Sequence, residues 1–381
     1  MSRLARSSIV AVSAVCVAVA CGGSEDDVGS APGPASGASG VAGISAGKSG
    51  AAGSVSGSGG SVSGSGGAAG GCTTKPGSGI FEAQNPWTKD VSCLAPSPES
   101  GKIIKALADA GGWGGGNKFQ IDLSIEVLTA DASTPFKSFT KTDDWFGGGT
   151  CDFVPVPMPV GGALEGEAGY ACESDGDCHL LVIHPPTKRL YEMWRANLVG
   201  NDFQGGCLAV WDLTKAYPDN LRGDGCTSAD AGGFPISAML FSADEVASGE
   251  LTHAIRFILP NARIRKHLYV HPGTHSTGPT SGGPDMPPYG VRLRLKQSFD
   301  LSKLPTEGAR VIARGLQRYG MLLADGGNIP LTGQSDRFTT HKWKDVGVNE
   351  HSLLGIVPGD FEVVDMGPTF DGVANDCVPN P

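Results

Sequence analysis

The sequence predicts a mainly β fold, a β-sandwich of jelly-roll type with a few short helices. Three observations predict it. Apolar and β-branched runs of strand length recur between residues 119 and 365. Gly, Pro, Asn and Asp separate these runs. Helical spacing of apolar residues is rare. Alternating or continuous apolar runs bounded by turn formers read as strands. Many strands with isolated helices read as packed sheets.

In chain order, a first helix is expected over residues 100–110. Ile103, Ile104, Leu107 and Ala108 share a face there, and Gly111-Gly112 stop it. Strands are expected at 119–128, 179–183, 190–196, 207–213, 251–259, 264–270, 291–295 and 361–365. One helical turn fits 243–247. Residues 306–319 repeat the helical pattern through Ala309, Ile312, Ala313, Leu316 and Tyr319, and Gly320 ends it.

Ahead of this domain lie two segments of different character. Arg3 and Arg6 precede an apolar run from Ile9 to Ala20, which is followed by Cys21. Such a run is too short to span a bilayer and has the parts of a secretory signal over residues 1–20. Cys21 directly after Ala18-Val19-Ala20 resembles the lipobox of bacterial lipoproteins, although Ala18 stands where Leu is usual. The resemblance implies acylation of Cys21 and a membrane partner through that lipid. Gly22 after it resembles the type that leaves the inner membrane, which places the protein in the cell envelope, at the outer membrane or cell surface. Residues 22–71 are mostly Gly, Ser, Ala and Val without an aromatic residue. Such a chain cannot bury enough apolar surface to order itself. It is expected to act as a tether with a reach of about 40 Å.

Residues 72–381 are then expected to form one extracytoplasmic domain. The net charge of -10 argues against nucleic acid as a partner. Eight of the ten cysteines fall in this domain. An even number in an exported domain reads as a disulfide framework. Cys172 with Cys178 and Cys207 with Cys226 are the expected local bridges, and Cys377 is expected to reach a distant partner. No C-x2-C pair is present, so no cysteine–zinc site is expected. P-loop, dinucleotide, H-E-x-x-H and G-x-S-x-G patterns are absent from the domain, so no cofactor is expected.

Residues 177–194 read as a hairpin with Pro185-Pro186-Thr187-Lys188 as its loop. Ile183 then faces Leu190, Leu181 faces Glu192 and His179 faces Trp194. His179, Glu192 and Trp194 share a face, because opposed residues do. An imidazole and a carboxylate among apolar neighbours shift each other's pKa, and Trp194 offers a platform for a sugar ring. Asp230 in the turn-rich loop Thr227-Ser228-Ala229-Asp230-Ala231-Gly232-Gly233 is either a turn acceptor or a second site acid. His253 falls on an apolar strand face with Leu251, Ile255 and Phe257, where it is a satisfied core residue or a buried base. Arg256 and Arg292 are candidate clamps for a carboxylated sugar. His267, His271 and His275 are spaced by four, but Pro272 and Gly273 break any helix that would align them, and no metal site is expected.

Five motifs form a set. They are D-x-H at Asp177 and His179, L-Y-E ending at Glu192, T-S-A-D-A-G-G-F-P-I from Thr227, D-E-V-A-S-G-E-L-T-H-A-I-R-F from Asp244, and R-Y-G-M-L-L-A-D-G-G from Arg318. The set resembles a group of exported, β-rich bacterial proteins, some of them lipoproteins. The resemblance implies one exported domain and points to the same His179, Glu192, Asp230 and His253; it carries no reaction with it.

The leading expectation is a surface-anchored enzyme that cleaves an extracellular polysaccharide by hydrolysis or elimination. Glu192, His179, Asp230 and His253 are the expected catalytic residues, and Trp194, Arg256 and Arg292 the expected substrate contacts. The alternatives are a non-catalytic carbohydrate- or protein-binding module and a structural envelope lipoprotein.

Overall fold

The computed structural model describes residues 77–146, 149–174, 176–372 and 377. The expected signal, the Cys21 lipid site and the tether lie outside them. Ten strands build the two main sheets: β1 Ile121–Ile125, β2 Val127–Thr129, β3 Leu180–His184, β4 Arg189–Trp194, β5 Cys207–Asp212, β6 Ile255–Leu259, β7 Arg292–Leu295, β8 Met321–Gly326, β9 Leu331–Gln334 and β10 Phe361–Val364. The longest helices are α1 Ser100–Asp109, α2 Ala243–Ser248 and α3 Glu307–Arg318. The fold is β-rich with few short helices, as the sequence predicts.

One sheet has six strands in the order β1-β9-β6-β8-β7-β10, and the other has four in the order β5-β4-β3-β2. Pairing is mixed. β1 with β9, β6 with β8 and β2 with β3 run parallel, and the remaining pairs run antiparallel. A jelly roll is antiparallel throughout, so the strand connectivity differs from that type. The parallel step from β6 to β8 needs a crossover, and the chain between them includes α3.

The layers follow from where the apolar residues point. Ile255, Phe257, Leu293, Met321 and Leu323 on one face of the large sheet pack on Ile103 and Leu107 of α1 and Ile312 and Leu316 of α3. Leu322 and Ala324 on the opposite face join Leu190, Ala209 and Trp211 of the small sheet, with Phe234 and Met239 between them. The outer face of the small sheet, through Leu180, Val182, Met193 and Leu208, is covered by Phe139, Val156, Met158 and Leu164. The segment from Cys226 to Ser242 therefore lies between two sheets, where every backbone polar group needs a protein partner.

The helices end where local chemistry ends them. The Thr306 hydroxyl accepts from Ala309 N–H and opens α3. Ser242 and Glu245 form a capping box on α2, and Gly249 closes it at φ +88°.

Disulfides join Cys172 to Cys178, Cys151 to Cys207, and Cys226 to Cys377. Cys93 is also disulfide-bonded. The first bridge matches the expectation, and Cys377 does reach a distant partner. The Cys207–Cys226 bridge does not form. β5 carries the chain away from Cys207, and Gly225 N–H then bonds Thr274 O, which seats Cys226 elsewhere. Disulfides of this number belong to an oxidising, non-cytoplasmic compartment. Among the described residues, no helix is long and apolar enough to cross a membrane.

Candidate active site

The β3–β4 hairpin has the register its loop length predicts. Leu181 pairs with Glu192 and Ile183 with Leu190, across a turn at Pro185–Thr187 in which Lys188 takes φ +52°. Glu192 thus faces the large sheet and meets the 226–242 segment. Its carboxylate accepts Ile236 N–H at 3.0 Å and Ser237 N–H at 2.7 Å. It is fully buried. Burial pushes its pKa up, while the two N–H donors pull it back.

His179 faces the same segment. Nδ1 lies 2.6 Å from Glu165 Oε2 and Nε2 lies 3.1 Å from Ala229 O. Both nitrogens therefore face acceptors, and only the doubly protonated ring satisfies both. Burial works against that charge, but Glu165 outweighs it and raises the His179 pKa to about 9. His253 is held in the same way between Glu245 Oε1 at 3.0 Å and Ala254 O at 2.9 Å. Neither ring offers a free lone pair.

Other contacts fix the loop from residue 226 to 237. Gly232 N–H reaches Ala324 O on β8 at 2.7 Å, and Thr274 Oγ1 donates to Cys226 O at 2.6 Å. Gly233 sits at φ +85°, and a Cβ there would lie 2.0 Å from Thr274 Oγ1, so only glycine fits.

The pinned loop places Asp230 against Arg256 of β6. Arg256 Nε and Nη2 donate to Asp230 Oδ1 at 3.2 and 2.9 Å, Nη2 donates also to Asp325 Oδ2 at 3.1 Å, and Nη1 donates to Thr332 Oγ1 at 2.9 Å. One guanidinium thus serves two carboxylates. Asp230 is sealed from solvent and its Oδ2 has no partner. The Asp325 side chain is 27% exposed. Burial raises both pKa values, that of Asp230 to about 7, and repulsion between the two carboxylates adds to the Asp230 shift while Arg256 opposes it. Arg256 and the charged His179 both oppose this rise, and burial outweighs them.

Beside this pair opens a cavity of about 330 Å³. Asp325 and Gly326 at the end of β8, Asn261 just after β6, Trp194 at the end of β4, and the 227–231 and 275–279 loops line it, with Asp177 and Phe146. It thus lies beyond the carboxyl ends of the parallel β6–β8 pair, where open sheets with parallel strands commonly bind ligands. Trp194 Nε1 donates to Asp177 at 2.5 Å, and the Phe146 ring packs edge-on to both Trp194 and His275. His275 Nδ1 donates to Ala231 O at 2.9 Å. Burial lowers the His275 pKa, partly offset by that carbonyl, so the ring is neutral with its lone pair on Nε2.

Of the residues singled out in the sequence, Trp194 and Asp230 border the cavity, and Arg256 stands behind it. His179 and Glu192 support the loop from the far side. His253 lies apart, in the α2 capping network. Arg292 is buried against the backbone, donating to Pro86 O at 2.7 Å and Lys89 O at 3.2 Å. Asp325, Asp177 and His275 were not among the candidates. Asp325 was visible as the acid closing M-L-L-A-D-G-G, at a strand end next to two glycines. His275 was hidden by a spacing that suggested metal. Among the described residues, the ligand-type group close enough for an ion is Glu167, Cys172 and Cys178, whose two sulfurs are joined to each other.

Comparison with known proteins finds no matching family model, no matching curated protein and no matching solved structure.

Proposed function

We propose that the protein is a lipid-anchored, carbohydrate-active hydrolase of the cell envelope that cleaves an extracellular polysaccharide in this cavity. The observation that carries the reading is the partly exposed Asp325 carboxyl. It shares the Arg256 guanidinium with sealed Asp230, and burial pushes the pKa of both carboxyls up, that of Asp230 to about 7. A carboxylic acid held protonated beside a cavity is the general acid that glycoside cleavage needs. Asp177, on the same cavity wall, is the second carboxylate, and Trp194 with Phe146 supplies the aromatic wall for a sugar ring. Asp230 and Arg256 are positioning residues.

Hydrolysis is favoured over elimination by the fate of the arginines. Elimination from a uronic acid needs a free cation to hold the substrate carboxylate. Arg256 spends its donors on Asp230, Asp325 and Thr332, and Arg292 spends its own on backbone carbonyls. The lipid expected on Cys21 suits a substrate too large to diffuse to the cell.

The test is release of reducing ends by the full-length protein from a panel of neutral, amino and uronate polysaccharides. Asp325→Asn is expected to lower turnover by about 10²–10⁴-fold. Asp230→Asn leaves Arg256 to pair with Asp325 alone, which stabilises the Asp325 carboxylate and lowers its pKa. The basic limb of the kcat/KM profile, which follows the proton on the acid, should therefore move to lower pH. Wild-type turnover in Asp325→Asn sinks the reading. The aromatic wall also favours a second reading, a non-catalytic glycan-binding module; binding without any cleavage would select it.

A further inference from the structure

His275, on the cavity wall, is 3% exposed, and its Nδ1–H is held by Ala231 O at 2.9 Å. That bond fixes the tautomer and leaves the lone pair on Nε2. Nε2 has no hydrogen-bond partner among the described residues, and unlike Asp230 Oδ2 it is not sealed. The ring is also held in place. Thr274 N–H donates to Gly232 O and Ser276 N–H to Gly372 O, so both chain neighbours are pinned, and the Phe146 ring packs edge-on at 6.0 Å. A basic nitrogen fixed in direction on a cavity wall is a preorganised proton acceptor. The other titratable groups around the cavity are already engaged. Trp194 Nε1 donates to Asp177, Gly326 N–H and Arg256 donate to the two oxygens of Asp325, and Asp230 is sealed against Arg256. His179, behind the loop, has an acceptor at each nitrogen.

From this fixed and unshared lone pair we infer that His275 is the general base of the reaction, and that cleavage inverts the anomeric carbon. The inference rests on the glycan-hydrolase reading and supplies the other half of its proton chemistry. As the glycosidic C–O bond breaks, Asp325 gives its proton to the leaving oxygen. A water on the opposite face of the sugar bonds to the anomeric carbon and passes a proton to His275 Nε2. Two hydroxyl ends result, with a carboxylate at Asp325 and a cation at His275, so the step leaves the net charge of the cavity unchanged. The proton then returns from His275 to Asp325 through solvent. Asp177 keeps its bond from Trp194 and offsets the positive charge that grows on the sugar ring. A retaining enzyme would instead bond its second carboxylate to the sugar and use the acid itself as the later base, which leaves His275 no proton to take.

The test uses the full-length protein and oligomers of glucose, mannose, galactose, glucosamine and galacturonic acid, each in α- and β-linked form. Proton NMR during cleavage reads the anomer released first. It should have the configuration opposite to the bond cut. Retained configuration overturns the inference and leaves the hydrolase standing, whereas no cleavage of any oligomer removes both. His275→Gln, with circular dichroism confirming the fold, should lower kcat by about 10²–10⁴-fold while the Kd from calorimetry is unchanged. A base must be neutral to act, and burial lowers the His275 pKa, so the wild-type acid limb of kcat/KM should lie below the ordinary histidine value and vanish in His275→Gln. Azide, a nucleophile that needs no proton removed, should restore turnover in that variant and yield a glycosyl azide of inverted configuration; a merely structural histidine would give no such product. Wild-type turnover in His275→Gln, or an acid limb that persists in it, overturns the inference.

Discussion

The pair of His179 with Glu165 sets much of the residue-scale energetics. His179 is held charged because its two nitrogens face Glu165 and Ala229 O. Its folded pKa, about 9, lies above the ordinary histidine value of 6.5. A group with a raised folded pKa contributes its full stability below the unfolded value and loses it as pH rises through the folded one. The His179 contribution is therefore complete below about pH 6.5 and fades towards pH 9. Glu165 has its pKa lowered, since the His179 charge outweighs its burial, and so its share is lost as pH falls instead. Melting temperature should decline between neutral pH and pH 9 in the wild type and decline less in His179→Gln. Glu165→Gln, which leaves a buried imidazole with one weakened partner, should cost about 3 kcal/mol in urea unfolding at neutral pH. An unchanged alkaline slope in His179→Gln would contradict this assignment.

At the scale of elements, the β3–β4 hairpin does most to place the site, and it is also the part most legible in the sequence. A four-residue loop with two prolines fixes the register, and alternation then dictates that Glu192 and Trp194 share a face. What that face meets was not legible. Glu192 meets two backbone N–H groups of a loop 44 residues onward, and no local pattern announces such a contact. The same limit applies to Asp325. Its motif was visible, but its pairing with Asp230 through Arg256 depends on β6 lying beside β8, a parallel pairing that periodicity does not specify. Helices were legible where caps and spacing agree, as in α3 with Thr306 and α2 with Ser242 and Glu245. Glu192→Gln should show what the hairpin contributes. Gln offers one acceptor where two N–H donors converge, and its amide opposes the second. The expected cost is about 1–3 kcal/mol, with faster hydrogen exchange at Ile236 and Ser237. Turnover should fall through loosening of the loop, with the pH profile retained in shape. A shifted limb would instead make Glu192 an acid of the reaction.

At the scale of the whole molecule, the loop between the sheets is tied to the end of the chain. Cys226, one residue before Thr227 of the cavity wall, is bonded to Cys377 across 151 residues of sequence. Closing a loop that long restricts the unfolded chain strongly, by about 3–5 kcal/mol on chain-entropy grounds. The span between the two cysteines holds β6 to β10 and α3, so the bridge encloses nearly all of the large sheet. It also bears on the site. Cys226 O accepts from Thr274, and Thr274 N–H donates to Gly232 O, so the two cavity loops are stitched together next to the sulfur. Cys226→Ser with Cys377→Ser, a double change that leaves no lone thiol, should therefore lower the unfolding free energy by about that amount. It should also raise KM for any accepted glycan more than it lowers kcat, since Asp325 and Arg256 sit on strands and stay in place. Cys172→Ser with Cys178→Ser is the control, because its short loop restricts the unfolded chain far less. Equal losses of stability in the two double variants would show that the long bridge does not organise the large sheet.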